Sequence, residues 1–220
     1  MPNWPNACAR AAWTSPGSNA LNYVRIKAEI PTVQYIATFM ETNTATGRPT
    51  PFYQSYILAL KQSGLTTLAD LRDKRFAFTD VGSASGYAYP QMLLRQKGID
   101  ADRYFRKVFF LKKHDRVLKA LLAGSVDAGA VSDDTYFTAV RHHGDLFTIL
   151  AKSAPIPLVA IAAAAHLPPE TVARYRQALT AMPREHPFCR KMWEILGWSA
   201  AGFEVRDDAF YDSVRNALHP

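Results

Sequence analysis

The chain has 220 residues, 48% hydrophobic and 20% charged, with a net charge of +7. That supplies one sizeable core or two small ones and argues against disorder except near the N-terminus. A basic balance favours an anionic partner, but Lys and Arg are scattered singly apart from Lys112-Lys113 and the Arg72 to Arg75 stretch, unlike the concentrated basic patches of nucleic-acid binders.

In chain order, residues Met1 to Ala20 are rich in Pro, Asn, Ser and Ala, lack a period, and read as irregular. Leu21 to Glu29 reads as a short helix stopped by Pro31. Thr32 to Glu41 and Tyr53 to Lys61 are β-branched and aromatic and read as strands, joined by a turn-rich loop. A helical turn over Thr67 to Leu71 is expected to be capped by Thr66 or Thr67. Strand and helix then alternate. Arg75 to Asp80, Tyr104 to Leu111, Val126 to Ser132 and Leu146 to Ala151 read as strands. Ser85 to Lys97, His114 to Ala123 and Asp134 to His142 read as the helices between them. Such alternation predicts a mostly parallel sheet with helices on both faces. Ile156 to Ala164 reads as a strand, and helices follow over Pro168 to Met182, Pro187 to Leu196 and Asp207 to Leu218. The change of character predicts two lobes. Residues 62–155 are expected to form the second lobe and 21–61 with 156–220 the first, with 1–20 standing apart.

The chemistry concentrates after the first strand of the alternating region. Phe76 to Phe78 is followed by Gly82-Ser83-Ala84-Ser85-Gly86 and, at once, a helical pattern. A strand, a small-residue turn and a helix aim free backbone amides and the helix dipole at an anion. The hydroxyls of Ser83 and Ser85 stand at capping positions, and the glycines admit a close backbone approach. Ligands of such sheets lie beyond the carboxyl ends of the strands. His114 and Ser132-Asp133 lie just past two other strand ends.

Several signals are missing. No glycine-rich run is followed by Lys-Ser/Thr, and no Gly-x-Ser-x-Gly elbow is present, so neither a P-loop nor a serine-hydrolase site is expected. His142-His143 is adjacent in sequence with no third ligand at suitable spacing, so no metal site is expected. Trp193 and Trp198 read as core. The two cysteines, Cys8 and Cys189, have no spacing that argues for a bridge. No apolar run is long enough to cross a bilayer, and Met1 to Gly17 lacks the apolar centre of a leader peptide.

Taken together, four segments resemble the phosphate, phosphite and phosphonate-binding proteins of ABC importers. They are TTLADLRDKRFAFTDVGSASGYAYPQMLL, KKHDRVLKALLAGSVDAGAVSDD, KSAPIPLVAIAA and LGWSAAGFEVRDDAFYDSVR. The resemblance spans about Leu21 to Leu218. It implies an α/β fold of two lobes, the type II periplasmic-binding-protein architecture, with an incomplete first lobe. It also implies a tetrahedral oxyanion held in a cleft between the lobes, an inner-membrane permease as partner, no catalysis and no cofactor. Ser83 and Ser85 match the serines on the phosphoryl oxygens, and Ala84 stands where many members have threonine. His114 matches a histidine aimed at the same oxygens. Tyr53 and Ser55 match a tyrosine and a serine on the crossing strand, and Asp133 lies near an acidic position that contacts amines. Where members often carry Asn or Asp after the returning Ile-Pro, this chain has Leu158 and Val159, which favours a plain anion. If binding requires a charged His114, affinity is expected to fall as pH rises through its titration. The resemblance places the protein in the periplasm; the missing leader places it in the cytoplasm if Met1 is the genuine start. Two alternatives remain on the residues alone: a ligand-sensing regulatory domain of the same fold, or a shortened member that binds little. The oligomeric state is not legible.

Overall fold

A computed structural model describes residues 19–196 and 198–218. Apart from Asn19 and Ala20, the segment read as irregular lies outside them. The elements in chain order are α1 (Ala20–Glu29), β1 (Gln34–Thr42), β2 (Pro49–Thr50), β3 (Phe52–Tyr53), β4 (Ser55–Leu60) and β5 (Arg75–Phe78). A π-helical turn (Ala84–Ala88) leads into α2 (Tyr89–Gln96), α3 (Ala101–Tyr104), β6 (Lys107–Phe110), α4 (His114–Leu122), β7 (Ala128–Ser132), α5 (Asp133–His143) and β8 (Phe147–Lys152). Then come β9 (Ile156–Pro157), β10 (Ala160–Ala163), α6 (Pro169–Thr180), α7 (Pro187–Leu196), β11 (Ala200–Glu204) and α8 (Asp212–Leu218).

The chain divides into two compact units. One holds the described residues up to Phe52 with those of Pro157–Arg215; the other holds Tyr53–Ile156 and the described residues from Asn216 onward. In the first unit the sheet runs β10-β1-β11, with β2 also on β1, and every pairing is antiparallel. Ile36, Phe39, Ala163, Val172 and Phe203 form its core. Arg176 on α6 donates to the carbonyls of Tyr35 and Ile36 at 2.9 and 3.1 Å, beside the irregularity in β1 between Tyr35 and Ala37.

In the second unit the sheet order is β6-β5-β7-β4-β8. The expected parallel pairing joins β5 to both β6 and β7; β4 is antiparallel to β7 and β8. Side chains alternate across this sheet because the strand period is two. Leu58 and Ala77 pack with Val117, Leu121 and Phe147 on one face. Ile57, Phe76 and Phe78 pack with Leu94 and Phe105 on the other. Each large apolar side chain so buried stabilises by about 1.5–3 kcal/mol. Because β4 runs against β7, its first residue, Ser55, lies opposite Ser132 at the end of β7. The start of β4 and the carboxyl ends of β5, β6 and β7 therefore share one edge.

Several expectations change. The 53–61 strand, assigned to the first lobe, is part of the second unit's sheet, because both its edges find partners there. The 104–111 strand is shortened, since Asp100 caps a helical turn that holds Tyr104. The 156–164 strand is interrupted at Leu158-Val159. The Asp207 to Leu218 helix divides into a 3-10 turn over Asp208–Tyr211 and α8. Strand β11 was not expected, as Ala-Ala-Gly carries no strand signal; its partner on β1 supplies the pairing. Trp193, expected in the core, is 61% exposed, whereas Trp198 packs on Phe39. At the first turn of the second unit the cap is reversed: the Asp70 carboxylate accepts from the amides of Thr66 and Thr67 at 2.9 and 2.8 Å.

Candidate functional site

The chain leaves β5 through Thr79 and reaches the π-helical turn by way of Ser83. The Asp80 carbonyl accepts from the Ser83 amide at 2.8 Å, and Asp80 Oδ1 accepts from the Gly82 amide at 3.0 Å. Ser83 is extended (φ −87, ψ 129), and its Oγ accepts from the Gly86 amide at 3.0 Å. It is thus the N-cap. The Ser83 carbonyl accepts from Ala88 and the Ala84 carbonyl from Tyr89, so the turn is wound i to i+5. The amides of Ala84 and Ser85 precede any carbonyl such a turn can offer them. They stand at the positive end of the turn, where an anion is favoured. Wide turns of this kind recur at functional sites.

Gly86 fixes how closely the turn sits on β5. A Cβ there would lie 1.7 Å from Thr79 Oγ1, and the Thr79 amide donates to the Gly86 carbonyl at 3.1 Å. Thr79 Oγ1 is itself buried with no hydrogen-bond partner among the described residues.

The neighbouring elements are tied to the turn. Ser55 Oγ donates to the Ser85 carbonyl at 2.6 Å, and Ser85 is 2% exposed. Ser55 pairs with Ser132, whose amide donates to His114 Nδ1 at 3.1 Å. The Asp133 amide donates to the Gln54 carbonyl at 2.9 Å. Ser153 holds the start of β4 from behind: its Oγ accepts from the Ser55 amide at 3.0 Å, and its carbonyl accepts from Gln54 Nε2 at 2.8 Å. The result is a linked frame running from the turn through β4 and β7 to α4.

The electrostatics correct one expectation. Burial, opposed only by the charges of Asp115 and Asp134, pushes the His114 pKa down to about 4. Its Nδ1 is already an acceptor, so the imidazole is neutral with its proton on Nε2. His114 is a neutral donor, not a cation. Asp133 is buried, and desolvation raises its carboxyl above the usual range although its Oδ1 accepts from the Asp134 amide. At the rim, the Gly82 amide and Lys112 hold the Asp80 carboxyl below the usual range.

The fold therefore brings Ser83, Ala84 and Ser85 into one turn, with Ser55, Ser132, His114 and Asp133 on the shared edge of the sheet. Tyr53 is half-buried on β3, one residue before Gln54. Sequence reasoning missed the parts played by Gln54, Ser153, Asp80 and Lys112. Their roles depend on register and loop packing, and residue type alone gives no signal for them. Among the described residues no group of three or more His, Cys, Asp or Glu could hold a metal ion.

Comparison with known proteins decides the family. Residues 13–211 match the sequence profile of the ABC-transporter phosphonate periplasmic substrate-binding proteins. The chain belongs to this family. A curated relative, the phosphate-import protein PhnD of Mycolicibacterium smegmatis, is 30% identical over 183 residues, 76% of this chain. The chain spans 57% of that relative's length. Among solved structures, PhnD1 of Prochlorococcus marinus in complex with methylphosphonate superposes with a TM-score of 0.72 at 16% identity, over 91% of this chain and 75% of its own. A Xanthomonas citri protein bound to ATP gives 0.70 at 17% identity, over 91% and 75%. These structures establish the type II periplasmic-binding-protein fold. The family is one of periplasmic transport components, and none of the described helices is long and apolar enough to cross a membrane.

Proposed function

We propose that this phosphonate-family protein binds a small tetrahedral oxyanion at the Ser83–Gly86 turn, as the solute-binding component of an ABC importer that delivers to an inner-membrane permease. The observation that carries the reading is the turn itself: a capped amino end whose Ala84 and Ser85 amides find no accepting carbonyl within the turn. The hydroxyl of Ser85 and Nε2–H of neutral His114 add donors, and Tyr53 and Asp133 complete the site. The ligand is a plain anion (phosphate, phosphite or a simple alkylphosphonate), since the return segment carries Leu158 and Val159 where an amine would need an acceptor. The relative that imports phosphate and the structure holding methylphosphonate support this class. The reading is capture without turnover, in keeping with a family of transport substrate-binding proteins.

Thermal shift and calorimetry against phosphate, phosphite, methylphosphonate and aminoethylphosphonate test the reading. A stabilising response to one of the first three is expected. Ser85→Ala is expected to weaken that binding by about 1–3 kcal/mol, the range for a hydrogen bond to a charged group. A flat response to all four anions overturns the proposal.

A further inference from the structure

Next to the anion turn stands a carboxylate, and beside it a strained lysine. Asp80 uses Oδ1 to hold the Gly82 amide at 3.0 Å, one residue before the capping serine. Its Oδ2 lies 3.0 Å from Lys112 Nζ. The carboxylate helps to shape the turn, yet its charge repels any anion that the turn captures. Lys112 has φ 71, a left-handed conformation that a residue with a Cβ disfavours. Its amide donates to the Thr79 carbonyl at 2.8 Å, one step beyond the β5–β6 pairing. The two side chains are 41% (Asp80) and 67% (Lys112) exposed, and an ion pair so exposed contributes little to stability. The pair therefore matters less for stability than for the charge it sets beside the turn. The other charges nearby do not serve: Asp115 is paired with Lys119 at 3.7 Å, and Lys113 is exposed with no ion pair to Asp80.

We propose that Lys112 is an affinity-determining residue of the anion turn, its ammonium cancelling the charge of the carboxylate that organises Gly82. This rests on the reading of the turn as an anion site. A charge of either sign on a side chain this exposed acts through solvent, so its effect is modest and screened by salt.

Calorimetry with methylphosphonate on the full chain tests it, using wild type, Lys112→Gln, Lys112→Arg, Asp80→Asn and the Asp80→Asn/Lys112→Gln pair. At low ionic strength Lys112→Gln is expected to bind about three- to tenfold more weakly. The loss shrinks in high salt, and Lys112→Arg stays near wild type. Asp80→Asn in the Lys112→Gln background restores affinity, because the uncompensated carboxylate is gone. Lys112→Met, which keeps the aliphatic stem, repeats the measurement should Lys112→Gln not fold. Unchanged affinity in Lys112→Gln, or no rescue by Asp80→Asn, overturns this proposal alone. A wild type that responds to none of the four anions overturns the anion reading, and this proposal with it.

Discussion

The two units spend their buried polar groups in opposite ways. In the first, Thr38 sits among tyrosines, with its Oγ1 2.7 Å from the Tyr35 hydroxyl and 2.8 Å from that of Tyr211. The Tyr211 hydroxyl reaches the Leu158 carbonyl at 3.3 Å and the Tyr35 hydroxyl the Glu204 carbonyl at 3.5 Å, so the row of three hydroxyls has a carbonyl acceptor at each end. Desolvation raises the pKa of both tyrosines, and the chain of hydroxyls ends on a carbonyl. In the second unit the linked groups end on a turn whose leading amides have no carbonyl within it. A closed network holds a fold; an open one can hold a ligand. The comparison teaches that the density of hydrogen bonds marks neither unit as the functional one. On the proposed reading, the mark is where the chain of donors stops.

The sharpest way to break this contrast is to fill the space under the turn. Gly86→Ala places a methyl 1.7 Å from Thr79 Oγ1, and overpacking of this kind costs about 3 kcal/mol. Urea denaturation should show that loss, with anion binding gone as the turn shifts. An unchanged midpoint would mean that Gly86 does not set the geometry.

Next in size is the acid response of the second unit. The folded pKa of His114 is about 4 against an ordinary 6.5. Between those values the unfolded chain binds more protons, so stability rises with pH through that window and is complete above 6.5. The shift corresponds to roughly 3 kcal/mol lost on acidification. His114→Gln should flatten the stability profile between pH 6.5 and about 4. Anion affinity, by contrast, should not fall through the ordinary histidine range, because the imidazole is already neutral there.

In the first unit, Tyr211→Phe leaves the Leu158 carbonyl and the Thr38 hydroxyl each one partner short. A loss of about 1–3 kcal/mol is expected by chemical denaturation. A neutral result would show that the tyrosine network is incidental. The smallest effect is that of Ser83→Ala, which removes the cap on Gly86 at a cost of about 1 kcal/mol. A loss of anion affinity much larger than that stability change would show that the Ser83 hydroxyl meets the ligand as well as the amide.

How much of this was legible varies by element. The β5–turn–α2 passage was readable because its signals are local: an apolar strand, small residues with a capping serine, and a helix that starts at once. His114 and Asp133 were readable as residues past strand ends, but the charge of His114 was not. It depends on the Ser132 amide, 18 residues away, and on burial. The Asp80–Lys112 pair was invisible for the same reason, as the two are 32 residues apart and meet only because β5 and β6 lie side by side.

The sequence by itself determined the alternation of strand and helix, the strand, capped turn and helix around Ser83–Gly86, and the family. Those follow from propensity, capping and spacing along a few consecutive residues. Only the tertiary structure decided that β4 belongs to the second unit's sheet, that Ser55 and Ser132 stand opposite one another, and that His114 is neutral. Strand register and desolvation are properties of the packed whole, and no short stretch of chain encodes either one.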